Sequence, residues 1–250
     1  VTAVAGRVDV PIEALAALAE REQVGRLHVT LRPEPVWFSD TEHDEAAKRV
    51  DDALAVAGLV DGRGRATVDF LDWLPLLVKP SLEYYGWVGV GDTTYGVLAA
   101  ASGLQAVLAV SDGEHVGVQE IDRQRLVETL VEQLPAAVAG GGNPRTVRVS
   151  DLDDAARRGE DAYPLDPALA DVVSLVQRPV HGSGELYAGR RDELGRYVHL
   201  EEPLHYADTD WGRYLSYTAG EGADAVIHLG PAGPAELCRA LRELAAGLAG

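Results

Sequence analysis

The chain has 250 residues, 46% of them hydrophobic, which is enough to build a buried core in one large domain or two small ones. Forty acidic residues against 22 basic ones give a formal net charge of -18, which repels nucleic acid and anionic membrane surfaces and sets both aside as partners. A single cysteine, Cys238, excludes an internal disulfide framework and fits a reducing compartment, so a cytoplasmic location is expected.

In chain order, the first thirty residues carry Arg7, Asp9, Glu13, Glu20, Arg21 and Glu22, which leave no apolar core for a signal peptide. No later stretch approaches the ~20 uncharged apolar residues of a membrane span. "DTEHDEAAKR" reads as a charged helix start with Asp40 or Thr41 as its N-cap. "RVDDALAVAGL" and "DFLDWLPLLVKP" follow as a helix pair that ends at Lys79-Pro80, because the residue before a proline is pushed out of the helical region. "GVGDTTYG", Gly89 to Gly96, is a hairpin turn between strand runs and lacks the closing glycine and helix of a dinucleotide fingerprint. Gln105 to Val110 is a strand whose turn carries Gly113. Asp122 caps a helix in which Leu126, Val127, Leu130, Val131 and Leu134 recur at three- and four-residue spacing. "AGGGNP", Ala139 to Pro144, has the composition of a flexible linker.

Beyond the linker the same order returns. "LDDAARRG" and "ALADVVSLVQRP" echo the helix pair and end at Arg178-Pro179. "LLVKPSLEYYGWV" is echoed by "LVQRPVHGSGELYAG", and Leu104 to Leu134 by Gly212 to Leu244. Arg213 to Thr218 is a strand whose turn carries Gly220 and Gly222. Leu237, Leu241, Leu244 and Leu248 mark the last helix, with Pro231 and Pro234 assigned to its opening turn, where a missing N–H costs nothing. "DELGRYVHLEEPLHYADTDWGRYL" has room for an additional strand pair. The expected organisation is therefore two half-repeats, residues 1–140 and 141–250, that together form one domain. Each half leaves a sheet edge open, and edges need cover or a partner. Joining them about a pseudo-twofold axis gives an α+β fold with one continuous antiparallel sheet and helices packed on it.

Reactive residues form no recognisable catalytic pattern. The turn in "VIHLGPAGPAELCRALREL" has the strand, glycine turn and helix that cradle phosphates, but it lacks the Lys and Ser/Thr of a P-loop. The first half puts the acidic, glycine-free "QEIDRQ" in the same place, so the turn reads as a connector. His28, His43, His115, His181, His199, His205 and His228 show no metal-ligand spacing, and neither a metal nor a cofactor is expected. "VHGSGEL" brings His181, Ser183 and Glu185 close in sequence, but a nucleophile elbow needs G-x-S-x-G between a strand and a helix; a flexible turn leading into a strand is expected instead. Cys238 falls at a small apolar core position.

Aromatic residues stand out. Most tyrosines and tryptophans lie in the two strand regions, while Phe occurs only twice. Their polar tips and apolar bodies suit either a core or a surface that meets another protein. On the second reading Trp87, Tyr95, Trp211, Tyr214 and Tyr217 are the candidate partner-binding residues.

Taken together, the pattern resembles the EspG proteins, cytosolic chaperones of the mycobacterial type VII (ESX) secretion systems and their actinobacterial relatives. The likeness is carried by "VPIEALAALAEREQVGRLHVTLR", by "LLVKP" before "LEYYGWV", by the hairpin "AVLAVSDGEHVGVQEI" and by "HYADTDWGRYLSYT" before the last helix. It implies a quasi-twofold α+β fold, a central antiparallel sheet flanked by two helical bundles, and no catalysis. It also implies binding to the tip of the PPE subunit of a PE–PPE heterodimer through the central sheet and the C-terminal helical bundle, which keeps that secretion substrate soluble. In mycobacterial members a longer loop between the strands Tyr95 to Ala100 and Leu104 to Val110 helps contact PPE, whereas "AAASG" is short. The expected partner is thus a PE/PPE-like or other helical substrate of such a system. Two other readings stay open: a non-catalytic regulatory adaptor, and a small-molecule hydrolase using the Ser183 loop.

Overall fold

The computed structural model describes residues 6–33, 40–158 and 167–248. Short apolar runs separated by glycine turns pair into one antiparallel sheet. Its strands are β1 (Val8–Pro11), β2 (Leu82–Val90), β3 (Thr93–Ser102), β4 (Gln105–Ser111), β5 (His115–Glu120), β6 (Arg145–Arg148), β7 (Val180–Arg191), β8 (Tyr197–His199), β9 (Leu204–Thr209), β10 (Gly212–Ala219) and β11 (Val226–Pro231). The order across the sheet is β1-β5-β4-β3-β2-β7-β9-β10-β11-β6, with β8 paired to β7 off this path. Read outward from the β2–β7 seam, both sides run as a meander and finish on the short strand that precedes the helices. The sheet is continuous because β2 and β7 pair along their length, from Leu82↔Arg190 to Val90↔Gly182.

Strand alternation sorts the side chains onto two faces. Tyr84, Val88, Val97, Ala99, Leu108, Leu186 and Tyr206 form one core with helices α5 (Leu126–Val131) and α8 (Pro234–Gly247). Tyr85, Leu98, Ala100, Val107, Val116 and Val118 form a second core on the opposite face, under α1 (Ile12–Arg21), α2 (Asp40–Val56), α3 (Val68–Leu71) and α4 (Leu74–Val78). In the second half, α6 (Val149–Arg158) and α7 (Pro167–Val176) follow β6, and the Arg145–Asp171 ion pair at 2.7 Å ties α7 to that strand. This is the expected α+β fold of a central antiparallel sheet with helical layers.

Local chemistry explains the ends. The Asp122 carboxylate accepts from the Gln124 N–H at 2.9 Å and opens the turn before α5. At α8 the Glu236 carboxylate accepts from the Gly233 N–H at 2.9 Å, with Pro234 in the first turn. Cys238 is buried in the core, as its position in the sequence predicts. The Gly113 and Gly220 turns adopt φ of 96° and 81°, the left-handed region that glycine enters without strain. The side chains of Asp40, Thr41 and His43, on which the expected N-cap rests, lie outside what the structure describes.

Four local expectations need correction. Pro231 closes β11 opposite Tyr214, and only Pro234 opens the last helix. The added sheet in the second half is the single short strand β8, not a strand pair. Ser183 lies within β7, which runs without a turn from Val180, with a register shift between Val180 and Gly182. The Ala139–Pro144 linker is fastened: Arg213 donates its N–H to the Val138 carbonyl at 2.8 Å and accepts from the Gly140 N–H at 2.9 Å. Tyr214 Oη also donates to the Gly141 carbonyl, and its ring lies so close to Gly140 that a Cβ there would come within 2.2 Å of Cζ. These glycines admit a tyrosine ring; the sequence alone suggests only slack.

Candidate protein-docking surface

The five aromatic residues singled out in the sequence do not converge. Tyr95 and Tyr217 pack with the α5–α8 core, while Trp87 packs with the core of the opposite face. Tyr214 is one residue out of phase with Leu215 of the α5–α8 core, so it shares the Trp87 face, yet it is 5% exposed and committed to the linker. Tyr95 donates its hydroxyl to the Gln133 carbonyl at 2.7 Å, and Tyr217 stacks on His228 with centroids 4.8 Å apart. Trp87 is half-buried and edge-on to Tyr85 and Tyr187. Trp211, in the β9–β10 turn, is 54% exposed and carries the Arg178 guanidinium 4.3 Å above its ring.

A hydrolytic site at Ser183 is not assembled. Among the described residues no hydrogen bond joins Ser183 to a histidine, and Glu185 accepts instead from the Tyr187 hydroxyl at 3.1 Å. Among the described residues there is also no group of three His, Cys, Asp or Glu side chains that could hold a metal.

One concavity lies where the sheet meets the α5–α8 pair. A cleft of about 600 Å³ opens between the start of β2, the end of β7, the start of α5 and the end of α8. Ser81, just before β2, fixes this corner: its carbonyl accepts from the Arg191 N–H at 2.8 Å, and its N–H donates to Ser102 Oγ at 2.9 Å. That second bond places the β3–β4 hairpin beside the cleft, with Leu104 at its tip 94% exposed. Leu82, Tyr84, Leu126 and Val127 give the cleft an apolar floor, while Arg123, Arg190, Arg191 and Arg242 stand around it. Glu128 of α5 accepts from Arg242 of α8, a bond that draws the Glu128 carboxyl below its ordinary pKa and ties the two helices together. The sequence analysis passed over these arginines. They come from three elements, the turn before α5, β7 and α8, and no local motif links them.

The opposite end of the helix pair is closed. There Arg213, 3% exposed, makes a two-pronged pair with Asp208 at 2.6 and 2.7 Å and donates to the Pro135 carbonyl at 2.8 Å. The cleft described above opens at the arginine-lined end.

The arrangement can bind and orient another chain, since apolar floor, exposed leucine tip and cationic rim are the components of a docking groove. Among the described residues no helix is long and apolar enough to cross a membrane. No curated protein matches the chain by sequence. Among solved structures the fold is similar to that of the Mycobacterium tuberculosis type VII secretion system chaperone EspG5 in complex with a PE25-PPE41 dimer, with a TM-score of 0.75 and 17% identity over 97% of each chain. The model of the EspG family matches residues 11–243, almost the whole sequence, and the chain belongs to that family.

Proposed function

We propose that this chain is a cytoplasmic, non-catalytic chaperone of a type VII secretion system, which binds the helical tip of a PE/PPE-like substrate one to one and keeps it soluble before export. The observation that carries the reading is family membership over residues 11–243, in a fold shared with a chaperone described in complex with a PE–PPE dimer. The open cleft supports it. A substrate with an apolar tip needs a preformed surface that removes the tip from water, and the cleft supplies an apolar floor beside an exposed leucine. The net charge of -18 adds solubility to the pair.

Docking centres on the cleft and the Leu104 hairpin; Trp87 and Trp211 lie away from that cleft, and Tyr214 is assigned to the fold. The division into half-repeats 1–140 and 141–250 belongs to the same reading and is supported by the mirrored strand order on either side of the β2–β7 seam.

The test is co-expression with each PE–PPE-like pair of the cognate secretion locus, followed by size-exclusion chromatography. One chaperone per substrate pair should co-elute, and Leu104→Glu should weaken the complex at least tenfold while the unbound chain melts unchanged. Absence of a complex with every such pair overturns the proposal.

A further inference from the structure

We propose that the cleft between α5, α8 and the ends of β2 and β7 is a carboxylate-recognition site, which receives an acidic, apolar-faced helical segment of the client protein. Naming the client rests on the chaperone reading above; the chemistry of the cleft does not.

The charge distribution carries the argument. Acidic residues outnumber basic ones 40 to 22 in the sequence, yet four arginines and no Asp or Glu line this cleft. Such a reversal of sign focuses an attractive field at one mouth on a body that repels anions elsewhere. Arg123 and Arg190 have no acidic partner among the described residues, so their guanidinium groups are uncommitted. Arg191 alternates with Arg190 along β7 and carries its guanidinium to the other face, 4.5 Å above the Tyr197 ring, so it is not counted among the cations of the cleft. Arg242 is held in place by Glu128. The site therefore has one fixed cation, Arg242, as well as two free ones, and planar guanidinium forks match carboxylates in two-pronged geometry.

The surroundings favour a peptide over a phosphate ligand. Leu82, Leu126 and Val127 supply an apolar floor that a free anion would leave uncovered, whereas a helix with acidic and apolar residues on one side would satisfy floor and rim together. The cleft carries no glycine-rich backbone nest of the kind that wraps phosphates. Repulsion from a body of net negative charge would also favour the register that keeps the acidic side chains of such a segment at the cleft.

The test uses the full-length chain and a fluorescein-labelled twelve-residue peptide built from three Leu-Glu-Glu-Leu units, read by fluorescence anisotropy. Its counterpart has every Glu replaced by Gln. The Glu peptide should bind at least roughly tenfold more tightly than the Gln peptide, and this preference should shrink as NaCl rises from about 50 to about 500 mM. Arg123→Glu combined with Arg190→Glu should abolish it. Neither side chain is paired, so the double variant should keep the wild-type melting temperature; Arg123→Ala with Arg190→Ala gives the same comparison without added charge. Equal affinity for both peptides overturns the proposal, as does binding of inorganic pyrophosphate without binding of the Glu peptide. Peptide loss in the double variant with unchanged uptake of a PE–PPE pair overturns the assignment of client to cleft and leaves the chaperone reading intact. Glu-peptide selectivity in a chain that captures no PE–PPE pair supports the cleft chemistry and sinks the chaperone reading.

Discussion

Tyr85 and Tyr187 stack face to face across the β2–β7 seam, at registered positions, with ring centroids 5.1 Å apart and 9° between the planes. Trp87 meets both rings edge-on, so three aromatic side chains clamp the place where the two halves of the sheet join. Aromatic pairs add about 0.5–1.5 kcal/mol beyond their area, and truncating a buried ring costs about 3 kcal/mol or more. Tyr85→Ala should therefore lower the unfolding free energy by about 3 kcal/mol in urea titrations, whereas Tyr85→Phe should stay within about 1 kcal/mol of wild type. Burial, and then the nearby Glu185 charge, push the Tyr187 hydroxyl up to about 12. A raised pKa means that the folded state favours the neutral phenol. That contribution is complete below the ordinary value near 10 and is lost as pH rises through about 12. Tyr187→Phe should make the alkaline limb of the stability curve shallower.

Gly86 occupies the middle of the same seam, opposite Leu186. A Cβ there would lie 2.1 Å from the Glu185 carbonyl oxygen and 2.9 Å from the Leu186 side chain. Because the first obstacle is backbone, relaxation requires β2 and β7 to separate. Gly86→Ala should destabilise by about 1–3 kcal/mol, the usual range for overpacking, and should raise hydrogen exchange along both strands. Wild-type exchange in the seam would show that the strands tolerate the methyl group.

Tyr214 offers a cleaner dissection of the linker. Phe at this position removes only the bond to the Gly141 carbonyl and should cost about 1 kcal/mol. Ala also uncovers Gly140 and should cost about 3 kcal/mol, with new protease cleavage between residues 139 and 144. Resistance to cleavage in Tyr214→Ala would mean that the backbone bonds to Arg213 hold the segment unaided.

The Glu128–Arg242 pair couples α5 to α8 beside the cleft. The hydrogen bond from Arg242, more than any other influence, lowers the Glu128 pKa from 4.5. The stabilisation is therefore present above about pH 4.5 and disappears as pH falls through the lowered value. Glu128→Gln should cost no more than about 1 kcal/mol at neutral pH, since the pair is partly exposed, and should flatten the acid limb of a melting-temperature profile.

Hairpins, helix stops and capping residues were legible in the sequence because each is decided within a few residues: Gly113, Asp122 and Pro234 act on their own turns. The short strands Val8–Pro11 and Arg145–Arg148 were not, since four residues carry little pattern and their partners, Val118 and Ile227, lie about 80 to 110 residues away. The same reason hid the aromatic placements. Trp87 and Tyr95 both sit in obvious strands, yet the face each occupies follows from strand register, which is set by long-range pairing. Arg123, Arg190 and Arg242 meet only after α5, β7 and α8 have packed. The linker glycines misled because the same residue serves slack chain and close approach equally well.

The closed Asp208–Arg213 end and the open arginine end of the α5–α8 pair have a consequence for valency. An antiparallel ladder reads the same from either strand, so a homodimer of one ancestral unit, joined edge to edge, would present two identical mouths and could capture two cargoes. On the half-repeat reading proposed above, covalent fusion of two copies would relieve that constraint. One mouth could then be plugged by an internal ion pair such as Asp208–Arg213 while the other stays open, which predicts a monovalent grip on a single passenger.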